Sequence, residues 1–178
     1  DKATCRWCGI DSLDKIWSFK DSPYGDSYVE NFSKAISLRS FPLEISRCRK
    51  CFLLQLHQKY FEVEMYTEYL YFTNNTNALG DFYKTLALDF INNYKISKDA
   101  LVVDIGSNDG TFLEIFKQNG FEVCGVEPSK LASQEAARKG VKTINAFFSD
   151  AVIDELNSIN GDISIISLNY VLANMPNL

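Results

Sequence analysis

No stretch of this sequence approaches the ~18 consecutive apolar residues that a membrane-spanning helix needs, and no charged segment with an apolar core opens it as a secretory leader would. No membrane partner is expected, and a soluble cytoplasmic protein is the default. Concentrated positive charge is also missing. The net charge is -5, and the basic residues are scattered apart from Arg47, Arg49 and Lys50. A phosphate backbone requires a dense Lys/Arg surface, so a nucleic acid polymer is not an expected partner. Repeats and low-complexity segments do not occur. There is no initiator Met, and the chain stops at Asn177-Leu178 just after an expected strand and its loop. A fragment without closing elements is therefore expected.

What is present is the composition of a folding chain. Hydrophobic residues make up 46% and charged residues 23%, with nine Tyr and thirteen Phe. A length of 178 residues accommodates one domain of roughly 150 residues with a small module attached.

Four of the five cysteines fall into two C-x-x-C pairs, Cys5-Arg6-Trp7-Cys8-Gly9 and Cys48-Arg49-Lys50-Cys51. A two-residue gap turns both thiolates of a pair to one point, and two such knuckles supply the closed tetrahedral sulfur shell of structural Zn2+. Gly9 relieves the turn that follows the first knuckle. Disulfides are disfavoured without a secretory leader, and a redox C-x-x-C needs only one pair. A closed four-thiolate shell leaves no position for substrate, so no catalysis is assigned to it. After Cys51, Phe52 to Leu56 reads as a buried strand. His57, the single histidine, reads as a surface or interface residue, and Cys124 as a small core residue.

The segment from Tyr60 to Tyr83 reads as a loop carrying aromatic residues, among them Tyr66, Tyr69 and Tyr71. Leu79, Phe82, Tyr83, Leu86, Phe90 and Ile91 then recur at helical spacing, which predicts an amphipathic helix.

Leu101 to Ile105 is an apolar strand entering Gly106-Ser107-Asn108-Asp109-Gly110, after which Phe112, Leu113, Ile115 and Phe116 mark a helix. Glycines at this position let the backbone bend and approach a ligand at the helix amino terminus. The turn departs from G-x-G-x-x-G. Its acidic, polar filling suits the ammonium and carboxylate of a methionine moiety better than a pyrophosphate, which favours S-adenosylmethionine over NAD. A second strand ends at Glu127-Pro128, placing Glu127 23 residues after Asp104, the spacing of a ribose-binding acid in such folds. Helix, strand and helix follow, with the third strand running from Lys142 to Phe148 and a fourth from Asp162 to Tyr170. Phe147 and Phe148 stand at a strand end where adenine can be held. A purely structural turn, and core roles for both Phe residues, are the competing readings.

Together these motifs resemble the sugar C-methyltransferases, an S-adenosylmethionine-dependent family acting on nucleotide-linked keto-deoxysugars. The resemblance covers nearly the whole chain. It rests on C-x-x-C-G, Cys48 to Leu56, the step Tyr69-x-Tyr71, Val103 to Gly110, Gly125 to Ser129, and Asn169 to Pro176. It implies an α/β chain: a zinc-ribbon module (1–60), a Tyr-rich loop and connecting helix (61–97), and the front of a Rossmann-like class I methyltransferase domain (98–178), with the family's carboxy-terminal domain expected to be missing. The expected cofactor-binding residues are Asp104, Gly106, Ser107, Asn108, Asp109, Gly110, Glu127, Pro128, Phe147, Phe148 and Asn169. The expected zinc ligands are Cys5, Cys8, Cys48 and Cys51. Tyr71 and Tyr69 align with the family's substrate-facing tyrosines, and Asn174 stands where the family usually carries His. Asn cannot act as a base at neutral pH, so Asn174 is expected at most to hydrogen-bond a substrate oxygen. The implied reaction is deprotonation beside a ketone and methyl transfer to the enolate carbon of a nucleotide-sugar. A non-catalytic binding module, a methyltransferase with another small-molecule acceptor, and a nicotinamide-dependent oxidoreductase are the other readings.

Overall fold

Strand-forming residues broken by turns make the first third of the chain an antiparallel sheet, in strand order β1-β2-β3. Its strands are β1 (Leu13–Pro23), β2 (Ser40–Cys48) and β3 (Leu54–Leu56). The computed structural model describes residues 3–23, 25, 28–57, 63–67, 71–159 and 161–175. Two compact units divide the chain, residues 1–65 with 175–178, and residues 66–174.

In the first unit a short helix, α1 (Phe32–Ile36), joins β1 to β2, and the Asn31 side chain caps it by accepting from the Lys34 N–H at 3.0 Å. Bulges between Lys15 and Trp17 and between Ser18 and Asp21 interrupt the pairing of β1 with β2. Among the described residues of this unit only Cys5, Phe41 and Cys48 are buried apolar side chains. The strand expected to be buried at Phe52 to Leu56 is instead exposed, with Phe52 66% and Leu54 60% accessible. Only Leu54 to Leu56 pair with β2, and among the described residues no second layer covers this apolar row. So small a core cannot offset the entropy of ordering the chain, and the unit needs a cross-link at its cysteines.

A short helix, α2 (Val63–Thr67), and a 3-10 turn over Thr73–Asn75 lie where the sequence suggested only loop. The amphipathic helix follows as α3 (Asn77–Asn93), with Tyr83 and Ala87 buried. The remaining elements alternate: β4 (Leu101–Ile105), α4 (Thr111–Gln118), β5 (Glu122–Val126), α5 (Lys130–Arg138), β6 (Lys142–Ile144), α6 (Asp150–Asn157) and β7 (Ile163–Ser167). The four strands form a parallel sheet in the order β6-β5-β4-β7.

Both faces of β4 are covered, which is why all five of its residues are buried rather than alternating. Val102 packs with Phe112, Phe116, Val123 and Tyr83 on one face. Leu101, Val103 and Ile105 pack with Cys124, Val126, Val152 and Leu156 on the other. The third strand ends at Ile144, not Phe148. Asn145 turns the chain there, its Nδ2 donating to the Glu127 carbonyl at 2.8 Å and the Pro128 carbonyl at 3.0 Å. The fourth strand likewise ends early, at Ser167. Strand order reverses between β4 and β7, and in open α/β sheets the crevice at the carboxyl ends beside such a reversal receives ligands. No helix among the described residues is long and apolar enough to cross a membrane.

Candidate functional site

The two cysteine knuckles share one backbone pattern. Cys5 N–H donates to the Ile10 carbonyl and Gly9 N–H to the Cys5 carbonyl, both at 2.9 Å. Cys48 N–H donates to Leu53 at 2.9 Å and Phe52 N–H to Cys48 at 3.0 Å. The residue after each knuckle is left-handed, Gly9 at φ +71° and Phe52 at φ +61°. The four Sγ atoms lie within 4.8 Å of one another, with Cys5 to Cys51 at 3.5 Å and Cys8 to Cys48 at 3.7 Å. Sulfurs 2.3 Å from a tetrahedral zinc stand about 3.8 Å apart, so the donor set fits that ion. The Cys51 N–H pulls the Cys48 thiol down to about 6 against its burial, favouring the thiolate a metal requires. Two residues of the nearby basic cluster are engaged internally: Arg49 donates to Asp14 at 2.7 Å and Arg47 lies 3.9 Å from the same carboxylate. His57 Nδ1 is 2.7 Å from the buried Ser46 hydroxyl and outside the sulfur cluster.

In the second unit the chain leaves β4 through Gly106, at φ +73°, where a Cβ would overlap the Val171 side chain. Asp104, at the strand end, accepts from the Ser167 hydroxyl at 2.5 Å, a bond that ties β4 to β7. Burial pushes the Asp104 carboxyl up to about 7, while the hydrogen bond from Ser167 pulls it down. The Asn169 Nδ2 itself closes no hydrogen bond, and neither does the buried Ser107 hydroxyl.

Glu127 ends β5 with 6% exposure. Its Oε2 accepts from the Asn108 N–H at 2.9 Å and its Oε1 from the Ser129 N–H at 2.8 Å. Burial raises its pKa, and those two backbone donors lower it. Each carboxylate oxygen keeps accepting capacity beyond these bonds.

Asn108 and Asp109 commit their side chains to the protein itself. Asn108 Oδ1 accepts from the Thr73 N–H at 3.0 Å and the Asp109 N–H at 2.9 Å, and its Nδ2 donates to the Tyr71 carbonyl at 2.9 Å. Asp109, fully buried, accepts from the Asn74 N–H at 3.0 Å and from the Thr111 hydroxyl at 2.7 Å, and pairs with Lys139 at 3.2 Å. Gly110, at φ +72°, starts α4 and faces Ala136 and Val141.

The other expected site residues are more dispersed. Pro128 is half-buried, its carbonyl bonded to Asn145. Phe147 meets Tyr66 edge-on at 6.3 Å between ring centroids, whereas Phe148 packs against the core beside α6. The Tyr71 hydroxyl is 3.3 Å from that of Thr76. Asn174 is exposed on a 3-10 turn, its Nδ2 donating to the Tyr170 carbonyl at 3.3 Å. Tyr69 lies outside the described residues.

Ser167, Lys139, Thr73, Asn74 and Val171 gave no signal in the sequence, because each meets the turn through a long-range contact. Tyr83 is core packing, as its helical spacing predicted, with its ring centroid 5.2 Å from that of Phe112. Burial raises its hydroxyl pKa first, and the nearby Asp104 and Tyr170 add to that. A groove of about 430 Å3 is lined by Asn74, Thr76, Asn77, Gly80, Asp81 and Thr111, and neither Gly106 nor Glu127 lines it.

Comparison with known proteins assigns both units. Residues 5–66 match the family model described as "Putative zinc binding domain". Residues 55–178 match the model described as a methyltransferase domain. Over 174 residues, 98% of its length, the chain is 28% identical to the C-methyltransferase NovU of Streptomyces niveus. It spans 41% of that relative. A solved magnesium protoporphyrin IX methyltransferase, ChlM from Synechocystis PCC 6803 with bound SAM, shares 17% identity. It aligns over 60% of this chain and 52% of its own, with a TM-score of 0.42.

Proposed function

This chain belongs to the methyltransferase domain family, and we propose on that premise that it holds S-adenosylmethionine beside the β4 and β5 strand ends and zinc at its four cysteines. The observation that carries the cofactor reading is Glu127, a buried carboxylate oriented by two backbone donors with lone pairs to spare. Those lone pairs suit the two ribose hydroxyls. Gly106 keeps the backbone open to close approach, and the orphaned Ser107 hydroxyl and Asn169 amide offer further polar contacts. Asp104, poised near neutrality, suits a cationic neighbour. S-adenosylmethionine, when bound, supplies a methyl group activated by a sulfonium centre.

The acceptor in this reading is a nucleotide-linked keto-deoxysugar, methylated on carbon through its enolate. Its support is the run of motifs from Cys5 to Pro176 and the similarity to a protein named as a C-methyltransferase. A carbon beside a ketone is a weak acid, so a general base is required. Asn174 is assigned hydrogen bonding to a substrate oxygen, Tyr71 and Tyr69 contact with the sugar, and the proton acceptor is a group outside this set.

Calorimetric titration with S-adenosylhomocysteine tests the cofactor assignment. Wild type binds, and Glu127→Ala loses charge-assisted bonds to two hydroxyls, about 3 kcal/mol or roughly 100-fold in affinity. Glu127→Gln, which keeps an acceptor for the backbone, separates lost binding from lost folding. A folded wild type that binds nothing refutes the assignment.

A further inference from the structure

We propose that Asn108 is a positioning residue that couples cofactor occupancy to the placement of the Tyr71–Asn74 segment. This rests on the proposed binding of S-adenosylmethionine at Glu127 and adds a regulatory link within the same site.

One residue spans both partners. The Asn108 backbone N–H is bonded to Glu127 Oε2, the carboxylate assigned to the ribose. The Asn108 side chain reaches the other way, accepting from the Thr73 N–H and donating to the Tyr71 carbonyl. Its φ of +49° lies in the left-handed region, which an ordinary side chain avoids and which Asn tolerates better than most. In that conformation backbone and side chain point to different partners from one Cα. A second bond, from the Asn74 N–H to Asp109 Oδ2, runs parallel to the first link. The Tyr71–Asn74 segment carries the tyrosine assigned to the sugar, and its 3-10 turn buries Thr73.

A ligand that fixes Glu127 thereby fixes the Asn108 backbone and the fork that holds Tyr71 and Thr73. Linkage makes the effect reciprocal: ordering the segment strengthens cofactor binding by the same factor.

Hydrogen exchange of the Thr73 and Asn74 amides, with and without S-adenosylhomocysteine, reads the coupling. In wild type the ligand is expected to slow exchange of the Thr73 amide about tenfold, the effect of roughly one hydrogen bond. Asn108→Gly keeps the left-handed backbone and its N–H to Glu127 but removes the fork. It should still bind S-adenosylhomocysteine, about tenfold more weakly, and show no ligand-dependent protection at Thr73. Asn108→Asp keeps an oxygen for the Thr73 N–H and should keep that protection. Wild-type binding without any change at Thr73 overturns the coupling alone, as does protection that persists in bound Asn108→Gly or vanishes in bound Asn108→Asp. Failure of either variant to bind, with wild type bound, also overturns it. Absence of wild-type binding overturns the proposed function and the coupling together.

Discussion

Replacing Lys139 with Met should weaken the second unit far more than an ordinary surface substitution. Lys139 is 15% exposed and lies 3.2 Å from Asp109, whose side chain is fully buried. It also donates to the Thr111 hydroxyl at 2.8 Å, and that hydroxyl donates to Asp109 at 2.7 Å, which closes a three-membered network. Removing one partner from a buried pair costs about 3–5 kcal/mol when the other charge is left uncompensated. Here Asp109 keeps donors from the Asn74 N–H, the Thr111 N–H and the Thr111 hydroxyl, and Lys139 is not wholly desolvated. Those two offsets bring the expected loss to about 2 kcal/mol, or about 10 °C in melting temperature for a unit of this size. Far-UV circular dichroism is the right probe, because α3 to α6 all lie in the second unit whereas both tryptophans, Trp7 and Trp17, lie in the first. The double variant Lys139→Met with Asp109→Asn should recover part of the loss, since no buried charge is then unpaired. A fall under about 2 °C, or a double variant no better than the sum of its parts, would falsify the claim that this pair holds the turn.

Metal removal should act on the other unit: a strong chelator, or Cys48→Ser, is expected to abolish a stoichiometry of about one zinc per chain and shift tryptophan emission while the helical signal stays. An unchanged tryptophan spectrum after complete zinc loss would contradict this. Asp104 sets a pH dependence. Its folded pKa of about 7 exceeds the ordinary 3.8, so the unfolded chain holds fewer protons between those values and stability falls as pH rises through that window. S-adenosylhomocysteine binding should correspondingly tighten from pH 6 to 8 with proton release, seen as a calorimetric heat that depends on buffer ionisation. A pH-independent affinity would separate Asp104 from the cofactor. Gly106→Ala meets both a left-handed φ and the Val171 side chain, and should melt several degrees lower and lose cofactor binding. Unchanged melting would mean that Val171 yields freely.

The features legible in the sequence were those that geometry confines to a few neighbouring residues. A C-x-x-C spacing encodes a knuckle because two thiolates two residues apart already point to one place. The strand, glycine turn and helix from Leu101 to Gln118 is encoded by apolar period and by positive-φ positions, both local properties. Even the placing of Glu127 follows from one strand–turn–helix–strand length.

Tertiary structure decided what those local pieces do to one another. The polar residues of the turn read alike in sequence, yet Ser107 is left with an orphaned hydroxyl while Asn108 and Asp109 reach back to Tyr71, Thr73 and Asn74, Asn108 to Thr73 across 35 positions. The bond from Ser167 to Asp104 crosses 63 positions and exists only because β7 pairs with β4 on the side away from β5. Phe52 to Leu56 looked buried because it is apolar, but its exposure depends on whether a second layer covers the strand. Backbone preference is set within a few residues, whereas strand order and layer coverage are set by which distant surfaces exclude water together, and the sequence period carries no record of that choice.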